Sequence, residues 1–298
     1  MTASAAKGDL TAQNIGHRNI DRVAAEQVAA QHAWGACRLV GTSSATTFAA
    51  GPAFLRVVEQ FNDPTGTLSV AAFAAESLGG PHPLTLEPFH VIIDGHERWV
   101  ETYELVTFDR DRLLPSLREL GHHLALLHAV DVSGSGLRQQ RRLAVARSRL
   151  AFAPKKVRTV LDPLFDVAES ALEGSAGPMV LCHGDTNGSN LVPVLGRGWV
   201  WVDFEYAGLA PASFDVGVAI ADTLRFFGRG GAREFVNGYR AAGGDFDASD
   251  AVVLAGVREL VGVADFASKT IDAGVAKFVH RMASRNELFR QTTWSVAN

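Results

Sequence analysis

Residues 181–192, LCHGDTNGSNLV, place His183, Gly184 and Asp185 at the end of an apolar run and Asn190 one short loop later. Downstream, WVWVDFE ends on Asp203 and Glu205. Asp185, Asn190 and Asp203 offer only oxygen donors, a set suited to a hard cation such as Mg²⁺, which takes one or two carboxylates and completes its shell with water and phosphate oxygens. A zinc site would want more His or Cys than this region holds. The chemistry implied is that of a nucleotide-metal site. Glu205 follows Asp203 on the same face of the strand, where it meets metal, substrate or solvent.

Cys182 and His183 raise a second reading, a thiol nucleophile beside its base. Neighbours on a strand point to opposite faces, so the dyad fails geometrically and Cys182 reads as a small buried hydrophobe. His122, His123 and His128 share one helical stretch, and packing or helix-end hydrogen bonding accounts for them better than a metal does.

The elements that must position these residues follow from periodicity. MVLC reads as a buried strand that delivers His183 to Asp185, and the GRG turn at 196–198 lets WVWVD fold back beside LVPVL. Alternation then puts Trp199, Trp201 and Asp203 on one face. Leu113, Leu117, Leu120, Leu124 and Leu127 recur at helical spacing and mark a buried helical face. Further helices are expected over 138–151, over 156–173 and from about 215 onward, with SGSG at 133–136 a loop.

Ahead of Asp109 the texture differs. An Ala-rich helix begins at Asp21, and then CRLV, TTFAA, AFLRVV, FHVII and ERWVETY read as short strands divided by Gly, Pro and Asn turns, with a helix over SVAAFAAESL. The expectation is an α+β chain with a small antiparallel sheet first and a helical body second, divided as 1–104 and 105–298.

The 298 residues are 47% hydrophobic and 20% charged, a globular balance rather than a disordered one. A net charge of -4 leaves no footprint for general nucleic-acid binding. Two cysteines outside any CxxC spacing fit a reducing cytoplasm. MTASAAKGDLTAQNIGHRN lacks the apolar core of a signal peptide, and AVVLAGV is far too short to span a membrane. A cytoplasmic protein, monomer or homodimer, with a small-molecule partner is expected.

HGDTNGSN followed by VDFE resembles the paired signatures of the aminoglycoside phosphotransferase and choline kinase superfamily, whose fold is similar to that of protein kinases. LGHHLALLHAVD and SFDVG resemble the same family's flanking motifs, so the match runs from about 120 to 220. The resemblance implies a two-lobed kinase fold with its site in the cleft between lobes, ATP or alternatively GTP as donor, and Mg²⁺. It makes Asp185 the residue that orients the acceptor hydroxyl and takes its proton, and gives the metal to Asn190 and Asp203. Asp215 would brace the catalytic loop and His183 would support it structurally.

In the N-terminal part the resemblance puts Arg56 of AFLRVV where such kinases carry a Lys. Arginine keeps the charge and can hold phosphate bidentately. Glu76 of FAAESL is its expected acidic partner. The phosphate loop falls on GTSSATTF, with Ser43, Ser44 and Thr46, and the adenine hinge on ETYEL, with Glu101, Tyr103 and Leu105. Acids to hold an amine of the acceptor are Glu205, Asp222, Glu259 and Asp265; Asp222 and Asp265 equally fit a solvated helix face.

The family implies a hydroxylated acceptor, foremost an aminoglycoside or another antibiotic, then choline-like amino alcohols, sugars or homoserine-like metabolites. Two rivals stand beside a kinase. A nucleotide-binding pseudokinase fits Arg56, whereas a phosphohydrolase would need more His or Asp ligands than the chain offers. Between Leu137 and Leu161 eight Arg and Lys occur without an acid, a pattern that reads first as a solvated helix pair and second as an anion-binding surface.

Overall fold

The computed structural model describes residues 18–256 apart from 43–44, 59–63, 110, 113 and 176. The chain divides into two compact units, Met1–Thr107 and Phe108–Asn298. The first is built on a five-stranded antiparallel sheet in the order β1-β2-β3-β5-β4, with β1 Arg38–Thr42, β2 Thr46–Ala50, β3 Ala53–Val58, β4 Phe89–Ile93 and β5 His96–Glu104. Each strand expected from the sequence is present, within a residue or two of its ends. Asp94 and Gly95 turn β4 into β5 with positive φ at both (51° and 80°), as the primed hairpin turn demands.

Helix α1 (18–31) lays Ala24, Ala25, Val28 and Ala29 on the face formed by Phe48, Leu55, Val57 and Val100. Small residues let the helix sit close to the sheet. A buried network pins its start: Asp21 accepts from Arg98 Nε at 2.6 Å and from Thr46 Oγ1 at 2.5 Å. Helix α2 (Pro64–Leu78) covers the span expected for it, extended at its start.

The second unit is mainly helical. Helix α3 (Leu117–His128) opens with a capping box, Ser116 Oγ accepting from the Glu119 N–H at 3.1 Å while Glu119 accepts from the Ser116 N–H at 2.9 Å. Leu120, Leu124 and Leu127 are buried as their spacing requires, whereas Leu113 lies outside the described residues. Helix α6 (Ala212–Ala241) breaks at Gly228, where φ is 69° and ψ -169°. Helices α3 and α6 pack so closely that a Cβ on Gly121 would stand 2.1 Å from the Phe235 carbonyl oxygen.

Helices α4 (Arg142–Leu150) and α5 (Lys155–Gly174) form a second core with α6 and α7 (Ala248–Leu254), through Leu143, Leu150, Leu161, Phe165, Phe214, Val218 and Leu254. Helix α4 begins four residues later than its pattern suggests. Residues 138–141 instead run along 206–209, with Leu209 N–H to Arg138 O at 2.8 Å and Gln140 N–H to Leu209 O at 3.1 Å. Two small antiparallel ribbons complete this unit: β6 (Met179–Cys182) with β9 (Gly208–Pro211), and β7 (Leu191–Val194) with β8 (Gly198–Trp201). The second is the hairpin expected around Gly196 and Gly198. No described helix is long and apolar enough to cross a membrane.

Candidate active site

Strand β6 ends at Cys182, and the loop that follows is fixed from two sides. From α6, Asp215 is fully buried and accepts the backbone N–H of His183 at 2.6 Å and of Gly184 at 2.9 Å. Two N–H donors that β6 leaves unpaired at its end are thereby satisfied by one carboxylate. His128 Nε2 lies 3.3 Å from Asp215 Oδ2, and His128 Nδ1 meets the Tyr239 hydroxyl at 2.8 Å. The brace expected of Asp215 thus has a longer root, running through α3 to the far half of α6.

From the β7–β8 side, His183 Nε2 donates to the Val202 carbonyl at 2.8 Å, while its Nδ1 accepts the Asp185 N–H at 3.3 Å. These bonds use both ring nitrogens and fasten His183 to the backbone on either side of the loop. Trp201 and Phe204 close over the ring at 4.9 and 5.0 Å. Gly184 has φ of 81°, and a Cβ there would stand 2.7 Å from the Tyr206 carbonyl oxygen. Glycine is required at that point for both reasons.

Asn190 closes the loop. Its side-chain Nδ2 donates to the Asp185 backbone carbonyl at 2.9 Å, and its backbone carbonyl accepts the Val202 N–H at 2.9 Å. With the amide nitrogen so used, Oδ1 is the atom it can offer to a metal. Asp203 follows Val202 directly and is exposed, with φ of 63°. That left-handed backbone ends strand alternation, so Glu205 does not share its face: Glu205 is buried whereas Asp203 is exposed. An amide oxygen and an exposed carboxylate on adjoining backbone fit Mg²⁺.

His128, Cys182 and Asp215 also lie within 4.8 Å of one another. Both Asp215 oxygens are engaged by backbone N–H groups, and burial pushes the Cys182 thiol well up, so this trio is a packed brace. Cys182 is fully buried, as expected.

The basic segment is solvated only in part: Lys155, Lys156 and Arg158 are exposed at the start of α5, whereas Arg142 turns inward. Arg142 is 3% exposed, and its Nη1 lies 2.5 Å from Asp185 Oδ1 and 2.5 Å from the Gly184 carbonyl. Its guanidinium covers the Tyr206 ring at 5.2 Å. Arg138 donates to the carbonyls of Glu205 at 3.0 Å and Ala207 at 3.3 Å, and Arg147 pairs with Asp166 and Glu169 on α5. The available signal was eight cations with no acid at helical spacing, which must find partners elsewhere in the fold.

In the first unit Arg56 is buried and pairs with Glu101 at 2.9 Å, the residue opposite it on β5. The expected partner, Glu76, is exposed on α2. Glu101 accordingly belongs to the strand interior and not to a hinge, and Tyr103 donates to it at 3.4 Å. Leu105 lies past the end of β5, and its N–H donates to the Pro52 carbonyl at 2.8 Å. Thr46 donates its hydroxyl to Asp21 at 2.5 Å. Asp222 is buried on α6. Ser43, Ser44, Glu259 and Asp265 lie outside the described residues.

Comparison with known proteins agrees with this architecture. A profile of the phosphotransferase enzyme family matches residues 47–255. No curated protein matches in sequence. Among solved structures, a microcompartment-associated aminopropanol kinase aligns with TM-score 0.66 at 20% identity, covering 92% of this chain and 96% of its own. The amicoumacin kinase hAmiN, in complex with AMP-PNP, Ca²⁺ and Ami, aligns with TM-score 0.65 at 12% identity, covering 92% and 95%. A choline/ethanolamine kinase family protein from Mesorhizobium loti aligns with TM-score 0.59 at 16% identity, covering 88% and 92%. The fold is α+β and protein-kinase-like, and the chain belongs to the phosphotransferase enzyme family as a small-molecule kinase that acts on a hydroxyl group.

Proposed function

We propose that this protein transfers a phosphoryl group from Mg-ATP, with GTP as the alternative donor, to a hydroxyl of a small amine-bearing molecule. Aminoglycosides and other hydroxylated antibiotics are the first acceptor class and choline- or aminopropanol-like amino alcohols the second. The observation that carries this reading is the fixed loop from His183 to Asn190. Asp215 holds its entrance by two N–H bonds, and His183 and Asn190 lock it to the backbone just before Asp203.

Phosphoryl transfer passes through a loose transition state in which positioning outweighs basicity. Asp185 accepts the hydrogen bond of the acceptor hydroxyl, aims its oxygen and receives the proton as transfer completes. Asn190 and Asp203 would hold Mg²⁺, which neutralises charge on the donor phosphates when bound. Aminopropanol and amicoumacin kinases share this fold, which supports an acceptor carrying both amine and hydroxyl.

The test is ADP release measured with a panel of aminoglycosides, other hydroxylated antibiotics and amino alcohols. At least one class should stimulate release and yield a phosphorylated product by mass spectrometry. Bound ATP with no stimulation by any acceptor would leave the pseudokinase reading in its place.

A further inference from the structure

Arg142 sits at the first position of α4 with Arg141 at the cap and no acid in the first turn. Cations are disfavoured at a helix N-terminus, where the backbone dipole is positive. Helix stability therefore does not account for a buried arginine there. Three contacts do: a hydrogen bond from Nη1 to the Gly184 carbonyl at 2.5 Å, a charge pairing of Nη1 with Asp185 Oδ1 at 2.5 Å that is an ion pair by distance rather than an aligned hydrogen bond, and the Tyr206 ring beneath the guanidinium. The Arg142 N–H is itself held by Gln140 Oε1 at 2.9 Å. Tyr206 is a neutral phenol at ordinary pH, and burial raises its hydroxyl further, so the ring sets no charge of its own beside the guanidinium.

We propose that Arg142 is the positioning residue for Asp185. Its guanidinium holds one carboxylate oxygen and the preceding carbonyl together, which sets the direction of the other oxygen toward the acceptor hydroxyl. Lysine cannot fully reproduce this, because a planar guanidinium presents several donors above the Tyr206 ring while an ammonium presents a point charge. The inference rests on the assignment of Asp185 as the residue that orients the acceptor.

The experiment compares wild type, R142A and R142K in full-length protein, with D185N and R142A/D185N. R142A should lower kcat about 100-fold, the cost of a small misplacement of a reacting group, with the KM for acceptor and the Kd for Mg-ATP held within about twofold. R142K should recover part of that loss. In the D185N background, R142A should change the residual rate by less than about twofold, since it acts through a carboxylate already altered.

A loss confined to KM, or full additivity with D185N, would overturn the proposal, as would wild-type kcat in R142K. Urea unfolding of the same four variants gives a readout that needs no turnover, and non-additive stability is expected. Additive stability would overturn the pairing itself. Absence of transfer by the wild type would instead remove the kinase reading, so the two failures are distinguishable.

Discussion

His183 Nε2 stands 2.8 Å from the Val202 carbonyl, and through this bond the loop carrying Asp185 is fastened to the residue before Asp203. The loops that follow two separate ribbons, carrying the residues proposed for acceptor and metal, thereby share one rigid frame. The fastener is fully buried between Trp201 and Phe204, so it is also part of the packing.

His183→Ala should therefore cost about 2 kcal/mol or more, from a cavity and from the carbonyl and N–H it leaves without their partner. Urea denaturation measures it. A cost within about 0.5 kcal/mol, the range of ordinary surface changes, would show that the two ribbons do not depend on this bond.

Asp185→Ala should abolish transfer, with Mg-ATP affinity kept within about twofold. Asp203→Asn should weaken Mg-ATP at least about tenfold, the equivalent of 1.4 kcal/mol. Calorimetric titration of nucleotide with and without Mg²⁺ separates the two. Equal nucleotide affinity in wild type and Asp203→Asn would exclude the metal role given to Asp203.

Burial pushes the hydroxyls of Tyr206 and Tyr239 above the ordinary value of 10.0. The unfolded chain then loses these protons first as pH rises. Their contribution to stability is complete below about pH 10 and is lost as pH climbs through the folded values. Burial lowers His123 from 6.5, with His122 adding to the effect. For His123 the sign reverses, and stability is complete above pH 6.5 and falls as pH drops. Melting temperature followed on both alkaline and acid limbs should show these two declines; a flat alkaline limb in wild type matching that of Tyr206→Phe/Tyr239→Phe would refute the tyrosine part.

Iodoacetamide under native conditions should spare Cys182, fully buried and with its thiol raised by burial first and Asp215 second. Cys37 is only partly buried and should be the first to react, slowly, since burial and Glu26 raise its thiol too. Peptide mapping decides it. Equal labelling of the two would mean that β6 opens in the native state.

The loop proposed to carry the site is legible because its surroundings in sequence are local. A strand, a glycine needed at positive φ, an Asp and an Asn one loop away form a pattern that survives without knowledge of distant contacts. The sheet was legible for the same reason, since alternation and turn residues act over a few positions. What escaped are pairings across long separations. Arg56 meets Glu101 because β3 and β5 are in register, and no periodicity along either strand specifies that register. Thr46 turns to Asp21 because α1 covers that face of the sheet. Arg142 looked like one of many surface cations, and only the course of residues 138–141 along 206–209 brings it to Asp185.

The left-handed backbone at Asp203 constrains what substitution can achieve there. Residues with a branched or bulky side chain pay a steric penalty at such φ, whereas Gly, Asn and Asp are tolerated. A library saturating position 203 would consequently be filtered twice, once by folding and once by chemistry. Gly and Asn should survive the first filter and fail the second, while Val and Ile should fail the first, and Glu, which keeps the charge, should cost about 1 kcal/mol of stability. Under the metal role proposed for Asp203, the native carboxylate is the side chain that meets both demands.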